Sequence, residues 1–368
     1  VATIEKRERK AGTVYQADVR IRGFPRQKRT FKRLTDAKIW AQQTEASIRS
    51  GQFRDVHKTA RTKKFEDLIE KYRDEVLAFK SEKTQKGEWY IVDRWEQELG
   101  GRTLSSIDAS QINRILQSLR AEGDVRRAKA GVEPKPKSQR TMKYYRDTLA
   151  MLFKHAENWG WIGRNPMADV KQITNLSNQR VRFLDDEERV ALLRACKASA
   201  NRQLYPIVVF ALSTGARKGE ILGLTLDDVD LDRGVAIFRN TKNGETRSAP
   251  LVGHLKDVLE EQAAWAKEKH EAVDERQLKR WLFPSHDGQK AIDIRAPWEK
   301  ARDQARIMDF RFHDLRHSTA SYLAMNGASQ LEIAEVLGHK TLQMVKRYSH
   351  LSDSHVKDLI TRLDHSIF

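Results

Sequence analysis

A chain of 368 residues is longer than one domain commonly is, so two or three separately cored domains are expected. Charged residues make up 32% and hydrophobic ones 39%, with no run of the roughly 18 apolar residues that a membrane span needs and no secretory-signal pattern; Cys196, the single cysteine, excludes an internal disulfide or a thiolate zinc cluster and fits a reducing compartment. The 68 lysines and arginines against 51 acids leave +17, which favours a polyanionic partner, and +12 of it falls in residues 1–64, where 18 basic residues face 6 acidic ones.

In "TVYQADVRIRG", Tyr15, Ala17, Val19 and Ile21 alternate with polar neighbours as on a half-buried strand. "RQKRTFKR" reads as a second strand after a turn at Gly23 to Pro25, and Thr35 can cap a helix carrying Ala37, Trp40, Ala41 and Ile48. Arg20, Arg22, Arg26, Lys28, Arg29, Lys32 and Arg33 crowd this module, and their single sign points to phosphate contacts over mere solubility.

Gln52 to Lys64 reads as a linker. Helical spacing then takes over in Phe65, Leu68, Ile69 and Tyr72, in Trp89, Val92 and Trp95, in a helix from Ser110 to Glu122, and in one from Gln139 to Asn158. "WGWIGRNPM" ends this helical bundle, and a linker of mixed polarity follows. Asp185 and Glu188 then form a capping-box pair at the start of a new helix. The expected domains are thus a basic module at 1–57, a helical domain at 62–166, a linker at 167–180 and a final domain at 181–368. The fold class is multidomain α+β, with an all-helical middle domain and a mainly helical last domain that carries a small antiparallel sheet.

In that last domain "LYPIVVFALSTGARKGEILGL" reads as two helices broken at Thr214 and Gly215. "GVAIFRNTKNGETRSAPL" reads as a small sheet, whose Asn243-Gly244 turn leaves Lys242 at a hairpin tip or shoulder. In "FHDLRHSTASYLAMNG", His313 and Arg316 lie three apart on one helix face. His317 is four residues from His313, a spacing zinc sites use, but Asp314 stands where the hydrolase motif has glutamate, so a hydrogen-bonding or packing role is the simpler reading. Downstream, Ser329 and Glu332 cap a helix that Gly338 stops, His339 follows at the chain reversal, and Leu342, Val345 and Tyr348 share a face of a further short helix.

Each residue taken alone has a plain structural use; the ordered set does not. "STGARKGEILGL", "NTKNGETR", "HDLRH", "LGH" and the tyrosine nine residues after that histidine resemble the motifs of the tyrosine recombinases of the phage integrase family. The resemblance spans about 130 residues and assigns catalytic roles to Arg217, Lys242, His313, Arg316, His339 and the nucleophile Tyr348, with Glu220 and His317 in support. It implies cleavage and rejoining of DNA through a 3′-phosphotyrosine, and needs neither metal nor nucleotide cofactor. His313 is then the candidate for taking the tyrosine's proton, with His339 donating to a phosphate oxygen and Lys242 protonating the leaving 5′-oxygen. It also implies core-site and arm-site DNA as partners, a homo-tetramer on that DNA, DNA-bending and directionality proteins, integration or excision of a prophage or related element, and a bacterial host cytoplasm without membrane attachment. The rivals are a type IB-like topoisomerase or resolvase with the same chemistry, and a catalytically silent DNA-binding regulator. The amphipathic terminal stripe Val356, Leu359, Ile360 and Leu363 could pack on its own domain or on a neighbouring protomer.

Overall fold

The computed structural model describes residues 2–9, 12–50, 56–123, 134–174, 182–239, 246–271, 279–352, 360–361, 363–365 and 367. The chain divides into two compact units, Val1–Ser177 and Asn178–Phe368.

The first unit opens with an antiparallel sheet of β1 (Ala2–Arg9), β2 (Gly12–Val19) and β3 (Gln27–Phe31) in that order, pairing Ile4 with Ala17 and Tyr15 with Phe31. β2 and β3 match the expected strands. β1 is additional, and alternation does not reveal it because after Ile4 it continues as Glu-Lys-Arg-Glu-Arg. The helix α1 (Leu34–Arg49) buries Ala37, Ala41 and Ile48 in one cluster with Ala17 and Val19. Its N-cap is Arg33, without a side-chain hydrogen bond, so Thr35 lies inside the first turn and does not cap it.

A second core follows in the same unit. The stretch expected as a linker contains α2 (Val56–Thr62), and Ala60 packs against the bundle core, which supplies the reason for its order. α3 (Phe65–Glu75), α4 (Glu82–Leu99), α5 (Ala109–Glu122) and α6 (Gln139–Asn158) bury Phe65, Leu68, Tyr72, Trp95, Ile112, Leu149 and Phe153 together. The side chains of Asp108 and Ser138 cap α5 and α6 by accepting from Gln111 N and Thr141 N. Trp89 does not join this core: half exposed, it carries the Arg73 guanidinium 4.3 Å from its ring centroid. Met167 and Val170 extend the bundle core past Pro166.

The second unit is mostly helical. It comprises α7 (Asp186–Lys197), α8 (Leu204–Thr214), α9 (Lys218–Leu222), a sheet of β4 (Val229–Asp230), β5 (Val235–Phe238) and β6 (Arg247–Pro250), then α10 (His254–Glu271), α11 (Arg295–Gln304), α12 (Asp314–Met325) and α13 (Gln330–Leu337). Two 3-10 turns, Leu342–Met344 and Lys346–Ser352, follow. The helix α8 buries residues on every side, as its apolar sequence requires, and lies against α12. Ser318, Thr319, Ala320 and Ser321 give α12 the small surface that allows this approach; Thr319 Oγ1 donates to Leu212 O at 2.9 Å. Leu184 N donates to Ser318 Oγ at 3.0 Å and Tyr322 Oη to Leu184 O at 2.9 Å, which ties the segment before α7 to the same helix. Among the described residues, no helix is long and apolar enough to cross a membrane.

Candidate active site

The break between α8 and α9 is made by Gly215, which caps α8 in the left-handed conformation at φ 61°. An added Cβ there would lie 2.3 Å from Leu337 Cδ2, so a larger residue would have to displace that side chain as well as adopt left-handed backbone. The Gly215 carbonyl accepts from Arg316 Nη1 at 2.8 Å. Two residues on, Arg217 is the N-cap of α9, and its backbone N–H and Nη1 donate to Glu220 at 2.9 and 2.7 Å.

Arg316 and His317 occupy the first turn of α12, with His313 at its N-cap. The Arg316 side chain is buried, and its Nη2 has no hydrogen-bond partner among the described residues. The rings of His313 and His317 meet edge to face at 5.3 Å between centroids. The Asp314 carboxylate accepts from the backbone N–H of Arg311 at 2.8 Å, closing the turn before the helix.

α13 carries the expected Ser329–Glu332 capping box and ends at Gly338 with φ 64°. Gly338 N donates to Glu335 O and His339 N to Ala334 O, a Schellman closure that sets His339 immediately past the helix. His339 Nδ1 is buried and has no hydrogen-bond partner among the described residues. The following 3-10 turns bury Val345 and Tyr348 with Ile333 and Leu337, while Leu342, expected on the same face, is 45% exposed. Tyr348 is 2% exposed, and its phenolic oxygen is in hydrogen-bond contact with His317 Nδ1.

Electrostatics bind these pieces into one cluster. Burial lowers the Arg316 pKa to about 9, with the like charges of Arg217 and Arg247 adding to the effect, so the group stays cationic at neutral pH in an unfavourable setting. Burial also lowers His317 and His339 to about 4, assisted for His317 by His313 and Arg347 and for His339 by Arg316 and Arg217; both are neutral at pH 7. His313, exposed at the rim, is lowered by partial desolvation and by Arg316. Burial raises the Tyr348 phenol while Arg347 and Arg316 pull the other way. Burial raises Glu220 too, but hydrogen bonds from Arg217 and Arg247 outweigh it and hold the carboxyl below its usual range.

The structure therefore gathers Arg217, Glu220, His313, Arg316, His317, His339 and Tyr348. Lys242 and the Asn243-Gly244 turn lie outside the described residues, as do Val356 and Leu359; Ile360 and Leu363 are exposed. Two site residues were not singled out from the sequence. Arg247, on β6 opposite Phe238, donates to Glu220 Oε2 at 2.7 Å and to Val336 O at 3.3 Å, and stacks on the Phe238 ring at 4.5 Å. Its signal was available as a basic residue opposite an apolar one in a short hairpin. Arg347 acts on all three histidines and on the tyrosine, and adjacency to Tyr348 was its only sign. Among the described residues, no group of three or more His, Cys, Asp or Glu could hold a metal ion.

The seven basic residues of the first module, Arg20, Arg22, Arg26, Lys28, Arg29, Lys32 and Arg33, are all exposed. Asp18 ties down two of them: Arg26 Nε donates to it at 2.8 Å and Arg20 Nη2 at 3.1 Å. The Arg29 guanidinium lies 5.4 Å from the Phe31 ring centroid.

Residues 182–355 match the phage integrase family model. The chain is 32% identical over 237 residues to the shufflon-specific DNA recombinase of Escherichia coli, covering 62% of this chain and 55% of that protein. It is 30% identical over 252 residues to the integrase of Salmonella phage P22, covering 64% and 60% respectively, so it spans less than two thirds of either relative. The fold is similar to that of the Tn1549 transposon integrase in complex with a circular intermediate DNA, with a TM-score of 0.64 at 17% identity over 82% of this chain and 99% of that one. Over residues 182–355, the chain is thus similar to the phage integrase family.

Proposed function

We propose that the chain is a site-specific DNA recombinase that breaks and rejoins strands through a phosphotyrosine at Tyr348. The observation that carries this reading is the cluster's charge. Arg217, Arg247 and Arg316 crowd together at a cost, and among the described residues the buried atoms Arg316 Nη2 and His339 Nδ1 have no partner, in the same cluster as a buried tyrosine whose oxygen meets His317. Buried donors in that arrangement suit an anion with several acceptor oxygens, and a phosphodiester gains negative charge on its nonbridging oxygens as a nucleophile adds.

In this reading Arg217 and Arg316 grip those oxygens through planar guanidiniums, increasingly so toward the transition state. His339 donates to the same oxygens as a neutral imidazole, and the family resemblance gives the tyrosine's proton to His313. Glu220 orients Arg217 and Arg247. The Tyr348 oxygen attacks phosphorus, and the 5′-oxygen leaves with the bond's electron pair and takes a proton, a step that the family resemblance gives to Lys242. The phosphotyrosine keeps the bond's reactivity, so another strand's 5′-hydroxyl can reverse the attack without a nucleotide cofactor. Exchange between two duplexes calls for four such sites, hence a tetramer on DNA. Residues 62–166 are the proposed core-site clamp, and residues 1–57 the arm-site module through its exposed basic side chains. Integration or excision of a mobile element in a bacterial cytoplasm, aided by DNA-bending and directionality proteins, completes the reading, and the names of the two curated relatives, a DNA recombinase and a phage integrase, support it.

The test is a library of nicked duplexes with a randomised core, selected for protein–DNA complexes that survive detergent. Wild-type chain should yield adducts whose DNA-bearing peptide contains Tyr348, and Tyr348→Phe should bind the same duplexes without yielding any. An adduct on another residue would refute the assignment.

A further inference from the structure

Tyr348 is a poor nucleophile while protonated: a phenol has a reference pKa of about 10, and burial moves this one higher. Something must take its proton as it attacks. The motif resemblance assigns that transfer to His313, but the imidazole touching the phenolic oxygen belongs to His317, through Nδ1. His313 stands one ring further out, edge to face with His317.

Resting on the recombinase reading, we propose that His317 is the immediate proton acceptor of the nucleophile. The Tyr348 O–H bond breaks toward His317 Nδ1 as the oxygen's electron pair forms the bond to phosphorus. The P–O5′ bond breaks, and its electron pair leaves with the 5′-oxygen, which is protonated separately. In rejoining, the imidazolium returns its proton to the departing tyrosine oxygen.

The same geometry makes the acceptor dependent on substrate. The charges that act on His317 come from its own helix, namely His313, Asp314 and Arg316, and from Arg347 on the turn that carries Tyr348. Three of these disfavour the imidazolium and Asp314 favours it, so with no anion in the cluster His317 is a weak base. A phosphodiester held by Arg217 and Arg316 brings negative charge against those cations and raises the proton affinity of the ring. Tyr348 would thus be activated only when a phosphate is in place, which protects an idle enzyme from unproductive ionisation.

The experiment measures single-turnover adduct formation on a nicked duplex recovered with the wild-type chain. His317→Ala should slow it by about 100-fold or more, the usual weight of a positioned base. His317→Asn, which keeps a polar group in the space but does not titrate, should be slow as well, with DNA binding unchanged. A 5′-bridging phosphorothiolate, whose sulfur leaves without protonation, should not rescue either variant. Fluorinated tyrosine at 348, an intrinsically more acidic phenol, should rescue both. Wild-type rates in His317→Asn, rescue by the phosphorothiolate or no rescue by the fluorinated tyrosine would each overturn the proposal while leaving the recombinase reading intact. A wild-type chain that forms no Tyr348 adduct would overturn both.

Discussion

At the scale of single residues, burial and crowded cations shift the ionisation of the site's groups away from their ordinary values. His317 and His339 have folded pKa values near 4 against a reference of 6.5, because burial and neighbouring cations penalise their charged forms. Between those values the unfolded chain binds protons that the folded chain does not. Stability contributed by these rings is therefore complete above about pH 6.5 and is lost as pH falls through about 4. Scanning calorimetry should show the second unit melting at lower temperature at pH 4.5 than at pH 7, with a shallower decline in the double variant His317→Asn, His339→Asn; a melting temperature indifferent to pH across that window would contradict the electrostatic account. At this scale the sequence was legible wherever a motif had fixed spacing, as with Arg217, Arg316, His339 and Tyr348. It was not legible for Arg247, because that residue reaches Glu220 and Val336 across long stretches of chain and nothing local announces either partner.

At the scale of elements, two glycines set the site's dimensions. Gly215 and Gly338 both adopt left-handed backbone, and both end helices that deliver cationic or imidazole groups to the cluster. Gly215→Ala would force Cβ against Leu337 and disturb the carbonyl that accepts from Arg316. It should cost about 2 kcal/mol or more, read from urea denaturation. Gly219→Ala, in α9, where an added Cβ meets nothing within 4 Å, should be neutral or stabilising. Equal destabilisation by the two would argue against close packing at Gly215. Caps and periodicities made most helices readable in advance: the Asp185 and Ser329 capping boxes, the Gly215 break and the limits of α6 all coincide with the expectation. The misses have physical causes. β1 lacks an apolar face beyond Ile4, and α2 is held by packing of Ala60, which a polar sequence conceals.

At the scale of the whole molecule, the proposed function divides charge between two tasks. The basic side chains of Arg20, Arg22, Arg26, Lys28, Arg29, Lys32 and Arg33 are exposed, and the proposed function gives them sequence-independent contacts to phosphate backbone. The second unit instead concentrates a few guanidiniums in a cluster around buried Arg316, which the proposed function directs at a single phosphate. Affinity and chemistry should therefore be separable by mutation. The most direct measurement compares DNA binding with single-turnover cleavage in the full chain carrying Arg316→Ala, on the duplexes that the wild-type chain selects. Cleavage should fall by about 1,000-fold, the scale of losing one preorganised oxyanion donor, while the dissociation constant changes only a few-fold. Parallel losses in binding and cleavage would mean that Arg316 serves general affinity, and the account of a cluster built for the transition state would fail.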